Sequence, residues 1–369
     1  MRTSLYEEHR RSGAKITEFA GWEMPLYYSG IVQEVLAVRH SAGIFDLSHM
    51  GELIVAGDKA LDFLQFLLTN DLSRIEIGQA QYTLMCDENG GIIDDLIVYH
   101  LAADEYMLVV NAANTASDFE WIQEHQRPGV RLENRSADIG LVAVQGPSSN
   151  DLLQRLVEFD LSTVSRFWVR QGRVGNIDSW VARTGYTGED GFELYCSAPD
   201  SPALWQLLIE AGSAFRAVPA GLGARDILRI EVGYPLYGHE LTRTRTPVDA
   251  GLLWVVEFAK ASFLGKEGIM QRMEIGSDEV LTGLETVRRC VPRRGYDVVV
   301  GGLRVGQVTS GTFSPTLGKG IAMAYVEPQH ARVGTKADVM VRGKSCPCRV
   351  VPMPFYRSAQ PASTHRQEL

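Results

Sequence analysis

Two adjacent aspartates, Asp94 and Asp95, interrupt the apolar run NGGIIDDLIVY at residues 89–99. A carboxylate in an apolar setting must find hydrogen-bond donors or a cation, or else take up a proton as its pKa rises. Two roles fit. One is structural, with the carboxylate accepting backbone N–H groups near a turn or pairing with an arginine. The other is chemical, with the carboxylate held in a dry pocket to bond a ligand or move a proton. Other polar residues stand in similar apolar or glycine-rich frames: Asn111 in LVVNAAN, Glu189, Asp190 and Glu193 in GYTGEDGFE, and Arg225 and Arg229 in GLGARDILRIE. Arg225 and Arg229 lie one helical turn apart and share a face, suited either to forking a ligand carboxylate or to ion pairing on the helix. With Tyr82, Tyr99 and Tyr186, the set suits a flat, hydrogen-bonding heterocycle with an anionic tail.

The elements that must position these residues can be read around them. Asn89-Gly90-Gly91 is a turn signal between QYTLMCDE and IIDDLIVYHL, which predicts a β-hairpin. Alternation puts Ile92, Asp94, Leu96 and Val98 on one face and Ile93, Asp95, Ile97 and Tyr99 on the other. Both faces are otherwise apolar, as in a strand covered on both sides. Around the hairpin stand a strand GELIVAG, a helix in GDKALDFLQFLLTND, a strand EYMLVVNA and a helix NTASDFEWIQEH. This block, 52–137, reads as an α+β unit. Helices follow in SPALWQLLIEAG and GLGARDILRIEVG. From about residue 280 the helical period disappears, and short strands between glycine-rich turns predict a small all-β domain over 279–369. The final dozen residues, SAQPASTHRQEL, read as a mobile tail.

The whole chain narrows the function classes. Its 369 residues imply two or three domains. A formal net charge of −9 disfavours nonspecific nucleic-acid binding. The densest basic stretch is VRRCVPRRGYD, with Arg288, Arg289, Arg293 and Arg294, either a solvated turn or a dock for an acidic partner. Nothing approaches the ~18 apolar residues of a membrane span. The N-terminus lacks an apolar signal core, so a cytoplasmic protein is expected, or a mitochondrial matrix protein if the source is eukaryotic. Five irregularly spaced cysteines predict thiols in a reducing compartment rather than a disulfide framework. Cys346 and Cys348 form a lone C-x-C, and His49 has no partner histidine nearby, so no metal site is expected. GLGARD lacks the third glycine of the dinucleotide fingerprint.

The motifs FAGWEMP, FDLSHMGE, LLTNDLS, GQAQYTLMCDENGGIIDDLIVY, VNAAN, GYTGEDGFELY, GLGARDILRIEVGYPLYGHEL, TPVDAGL and TSGTFSPTLGKGIAMAYV occur in series, within a resemblance that runs from about Leu5 to Phe355. Together they resemble the T-proteins of the glycine cleavage system. The resemblance implies an α+β, three-lobed cloverleaf around a central folate channel. A first lobe, 1–51 with 138–278, would be interrupted by the 52–137 unit, and a C-terminal β-barrel would close the ring. It implies transfer of a one-carbon unit from the aminomethylated lipoyl arm of the H-protein to tetrahydrofolate as co-substrate, by a monomer. It assigns the catalytic role to Asp95 and folate contacts to Met50, Tyr82, Asn111, Tyr186, Glu193 and Arg225, with Tyr356 and Arg357 suggested near the C-terminus. Glu193 matches the pterin-binding acid better than Glu189 does. Folate-dependent demethylases of the same fold are an alternative. So are non-catalytic folate-binding factors, but their cysteine motif is absent from KASFLGKE at 260–267.

Overall fold

The strand that carries the paired aspartates, Ile92–Ala102, is second in a five-stranded antiparallel sheet. The order across this sheet is Ala80–Cys86, Ile92–Ala102, Glu105–Val110, Gly51–Ala56 and Arg131–Asn134. The computed structural model describes residues 1–358, so all of the expected tail beyond Ser358 lies outside the described residues. The hairpin forms where the sequence places it. Asp87 accepts the backbone N–H groups of Asn89 and Gly91, both at 2.9 Å, and Gly90 takes a φ of +82°. A Cβ on Gly91 would lie 2.1 Å from the Arg243 carbonyl oxygen, so the turn is pressed against the 240s segment.

The alternation holds from Asp94 onward. Leu96 and Val98 enter a core with Phe63, Leu64 and Leu67 of the helix Ala60–Leu67. Ile97 and Tyr99 enter a different core, with Phe45, Leu47 and Leu228. Before Asp94 the alternation breaks. Cys86 pairs with Ile92 and Met85 with Asp94, so Ile93 is the extra residue of a β-bulge. Ile93 therefore joins Leu96 and Val98, and Ile92 packs elsewhere with Leu84 and Val255. The bulge re-aims the strand just ahead of the two carboxylates.

A six-stranded sheet, in the order Val169–Val174, Ile177–Ala182, Gly191–Ser197, Ile139–Gln145, Gly43–Asp46 and Val218–Pro219, forms the second body of the fold. The helices Ile31–His40 and Leu222–Glu231 pack near it. The glycines of GLGARD serve this packing: a Cβ on Gly221 would lie 2.5 Å from the Leu26 backbone, and one on Gly223 would lie 2.6 Å from Ile31. The strands Val280–Thr286, Lys319–Val326, Leu303–Ser314, Asp297–Val300, Lys336–Val341 and Lys344–Val351 close a barrel in that order. Arg229 ties helix to barrel by bonding Glu240 at 2.9 Å and the Ser310 hydroxyl at 2.6 Å.

The thiol expectation fails at one pair. Cys290 and Cys346 form a disulfide, with Cα atoms 6.3 Å apart. Closing the barrel brings them together across 56 residues of sequence, a proximity no local spacing could reveal. Cys86, Cys196 and Cys348 are buried free thiols. The four arginines at 288–294 are mostly engaged with their own surroundings. Arg288, Arg293 and Arg294 donate to the carbonyls of Ser345, Gly311 and Gly238, and Arg289 lies over Phe313. No helix among the described residues is long and apolar enough to cross a membrane.

Candidate functional site

Asp94 and Asp95 meet different surroundings. Asp94 is fully buried. It accepts the Asn111 backbone N–H at 3.0 Å and the side-chain amides of Asn111 at 2.7 Å and Asn114 at 2.8 Å. Behind it lies Asp118, also fully buried, at the start of the helix Thr115–Glu124. Neither Asp118 oxygen has a donor among the described residues, and its carboxyl is in hydrogen-bonding reach of Asp94. Two buried carboxyls in contact with no cation bonded between them must hold a proton. Burial first, and then the Asp94 charge, drive Asp118 far above the usual carboxylate range. The Asp118 carboxyl beside Asp94 thus favours its neutral form.

Asp95 is half-buried on the opposite face. It accepts the Tyr82 hydroxyl at 2.9 Å and the Asn111 amide at 2.9 Å. Burial, followed by the charge of Asp94, pushes it up to about 7, while the bonds from Tyr82 and Asn111 pull it back. A carboxyl that titrates near neutrality can accept and release a proton at working pH. Tyr82 stacks on Trp254, with ring centroids 5.8 Å apart.

A second cluster faces the first across Tyr186. The Arg225 guanidinium lies 4.7 Å above the Tyr186 ring and makes no ion pair or side-chain hydrogen bond among the described residues. Burial lowers its pKa, and the charge of nearby Glu193 opposes that. Glu193 is buried on the strand Gly191–Ser197 and accepts a short hydrogen bond from the Thr184 hydroxyl. Tyr186 donates to the Pro235 carbonyl and feels the charges of both Asp95 and Arg225, which places it between the two clusters. Met50 is half-buried in the core that also contains Tyr99 and Leu228. Next to it, burial chiefly, and Arg225 in addition, push His49 down to about 4, so it is neutral at pH 7.

Two family models match this chain: the GCVT N-terminal domain over residues 5–260 and the glycine cleavage T-protein C-terminal barrel domain over residues 280–357. The chain belongs to the glycine cleavage T-protein family. Relatives named aminomethyltransferase include one from Desulfitobacterium hafniense (strain Y51), 46% identical over 96% of this chain and 98% of its own. Another, from Geobacillus thermodenitrificans (strain NG80-2), is 47% identical over 97% of this chain and 99% of its own. Among solved structures, glycine cleavage system aminomethyltransferase T from Bartonella henselae superposes with a TM-score of 0.91 at 35% identity, covering 97% of this chain and 98% of that one.

The fold of this T-protein family member gives a physical difference between residues that only the resemblance had ranked. Arg229 is consumed by Glu240 and Asp226, and Arg225 is not. Glu189 pairs with buried Arg39 at 2.7 Å and Asp190 pairs with Arg183 at 2.6 Å, whereas Glu193 makes no ion pair among the described residues. Tyr356 stands apart from the Asp95 cluster. Its ring lies 4.1 Å from the Arg39 guanidinium and its backbone N–H donates to the Glu231 carbonyl at 2.8 Å. Arg357 is exposed. Sequence reasoning missed Trp254, Asn114 and Asp118. Asn114 and Asp118 carried one signal, a polar pair four residues apart at a helix start directly after Asn111.

Proposed function

We propose that this chain is the aminomethyltransferase of glycine cleavage. It passes a one-carbon unit from the aminomethylated lipoyl arm of the H-protein to tetrahydrofolate, releasing ammonia, the dihydrolipoyl arm and methylene-tetrahydrofolate. The observation that carries this reading is a half-buried Arg225 without an ion pair, lying over Tyr186, whose other neighbour is the Asp95 carboxyl that burial pushes up to about 7. A partly desolvated cation with no protein partner, close to a perturbed carboxyl, marks a candidate ligand site.

In this reading Glu193 accepts the amino and ring N–H donors of the pterin. Tyr82 and Tyr186 form flat walls for its ring, Met50 supplies polarizable surface, and Arg225 balances electron-rich ligand atoms. One folate nitrogen bonds to the aminomethyl carbon as its C–S bond breaks, directly or through the iminium formed once the thiol leaves. A second folate nitrogen then bonds to the same carbon as the C–NH2 bond breaks. The two N–H protons released go to the departing thiolate and to the amine that leaves as ammonia. Asp95, held by Tyr82 and Asn111, orients the attacking nitrogen, stabilises positive charge as the bond forms, and relays the proton that leaves. The test mixes the purified chain with tetrahydrofolate and aminomethylated H-protein and follows both products. Equal appearance of methylene-tetrahydrofolate and ammonia, lost in Asp95→Asn, is expected. Folate binding without turnover would overturn the reading in favour of a demethylase or a binding factor.

A further inference from the structure

Glu193 does not stand alone. The Thr184 hydroxyl donates to its Oε2, the Tyr99 hydroxyl lies 3.0 Å from the Thr184 hydroxyl, and the Tyr195 hydroxyl donates to that of Tyr99 at 3.1 Å. All four side chains are buried. The two tyrosine rings meet edge to face at 5.6 Å. A hydroxyl carries one proton. Once Thr184 gives its proton to the Glu193 carboxylate, it can only accept from Tyr99, and Tyr99 can then only accept from Tyr195. The carboxylate therefore fixes the direction of the whole chain, and each donor polarises the next.

The chain also crosses between sheets. Tyr195 and Glu193 belong to the six-stranded sheet, whereas Tyr99 belongs to the strand Ile92–Ala102 of the five-stranded sheet. Tyr99 lies on the same face of that strand as Asp95, four residues along, or about 13 Å at the usual strand rise. One strand thus carries both the Asp95 carboxyl and the support of the acid in the second cluster.

We propose that Tyr99, backed by Tyr195, is a positioning residue for folate recognition: through the Thr184 hydroxyl it holds Glu193 as the carboxylate that meets the pterin and fixes its distance from Asp95. This rests on the folate reading of the site. Burial pushes Glu193 up, and Thr184, Arg225 and Tyr99 pull it down. The other groups facing it are Tyr195, itself close to buried Glu52, and Tyr186 beneath Arg225. Removing the Tyr99 hydroxyl takes away a downward influence, so Glu193 must gain its proton at higher pH.

The test compares wild type, Tyr99→Phe and Tyr195→Phe, with folding checked by circular dichroism. Tyr99→Phe is expected to raise the KM for tetrahydrofolate about tenfold, the usual effect of losing a hydrogen bond that supports a charged group, with kcat changed less than about twofold. The pH below which folate affinity is lost should move upward. Tyr195→Phe should act in the same direction but less strongly, and it keeps the proposal testable if Tyr99→Phe does not fold. An unchanged KM and pH dependence in a folded variant would overturn it, as would equal losses in kcat and affinity. If the wild type binds no folate, the functional reading itself fails. The chain is then read in ligand-free protein from the carboxyl carbon of Glu193 by nuclear magnetic resonance. An upward shift of its titration in Tyr99→Phe upholds the hydroxyl chain, and an unmoved titration rejects it.

Discussion

One amide joins Asp94 to Asp95: the Asn111 side-chain nitrogen lies 2.7 Å from Asp94 Oδ1 and 2.9 Å from Asp95 Oδ1. The two carboxylates point to opposite faces of one strand, and Asn111 reaches both from the end of the neighbouring strand Glu105–Val110. Asp94 collects donors and stays fixed. Asp95 keeps fewer donors and feels the Asp94 charge, so it is the carboxyl left free to titrate.

Replacing Asp95 by Asn keeps the shape of the site and removes the base. In the reading proposed here kcat should fall by roughly 10²–10⁴-fold, with the dissociation constant for tetrahydrofolate changed only a few-fold. In wild type the active form is the carboxylate, so kcat should drop about tenfold per unit as pH falls below about 7, and that limb should vanish in Asp95→Asn. A pH–rate profile of both proteins decides. A retained acid limb in the variant would assign it to another group.

Arg225 should trade stability for binding. It is half-buried without an ion pair, so Arg225→Gln removes a partly desolvated charge that only nearby Glu193 offsets, and loses the contact with Tyr186. The thermal midpoint should therefore hold or rise, while the KM for tetrahydrofolate rises about 10–100-fold, as expected when a charged hydrogen bond is lost. A large fall in midpoint, measured by calorimetry, would mean that the arginine is structural.

Much of this site was legible in the sequence, and the illegible part has a physical reason. The hairpin and the opposed faces of Asp94 and Asp95 followed from Asn89-Gly90-Gly91 and strand alternation. Arg225 was singled out from Arg229 only by resemblance, because both lie on one helix face and the physical difference rests on Glu240, in a later loop. Glu189 and Glu193 were ranked only by resemblance, and the physical difference between them is Arg39, 150 residues from Glu189. Asp118 and the Cys290–Cys346 bond were invisible for the same reason: each partner is supplied by tertiary structure.

Asp118 should behave as a neutral hydrogen-bond donor. Asp118→Asn preserves a donor toward Asp94, and folding stability should stay within about 0.5 kcal/mol of wild type. Asp118→Leu removes the donor and leaves buried Asp94 with only the three bonds from Asn111 and Asn114, and should cost about 1–3 kcal/mol. Denaturant titrations of the two variants measure the difference. Equal losses in both would show that the carboxyl works as an anion, not as an acid.

Glu52 offers a prediction with a definite sign. It is fully buried on the strand Gly51–Ala56, and neither oxygen has a hydrogen-bond partner among the described residues. Burial raises its pKa well above the ordinary glutamate value. Between those two values the folded state binds a proton that the unfolded state has released. Stability is therefore greatest at low pH in this respect, and declines by up to about 1.4 kcal/mol per unit as pH rises toward the folded-state pKa. A glutamine side chain cannot ionise, so Glu52→Gln removes this slope. The variant's stability relative to wild type should grow as pH rises above the ordinary glutamate value toward the raised folded-state value, as measured by urea unfolding at each pH. Parallel curves for the two proteins would mean that Glu52 is ionised and paired in the folded state.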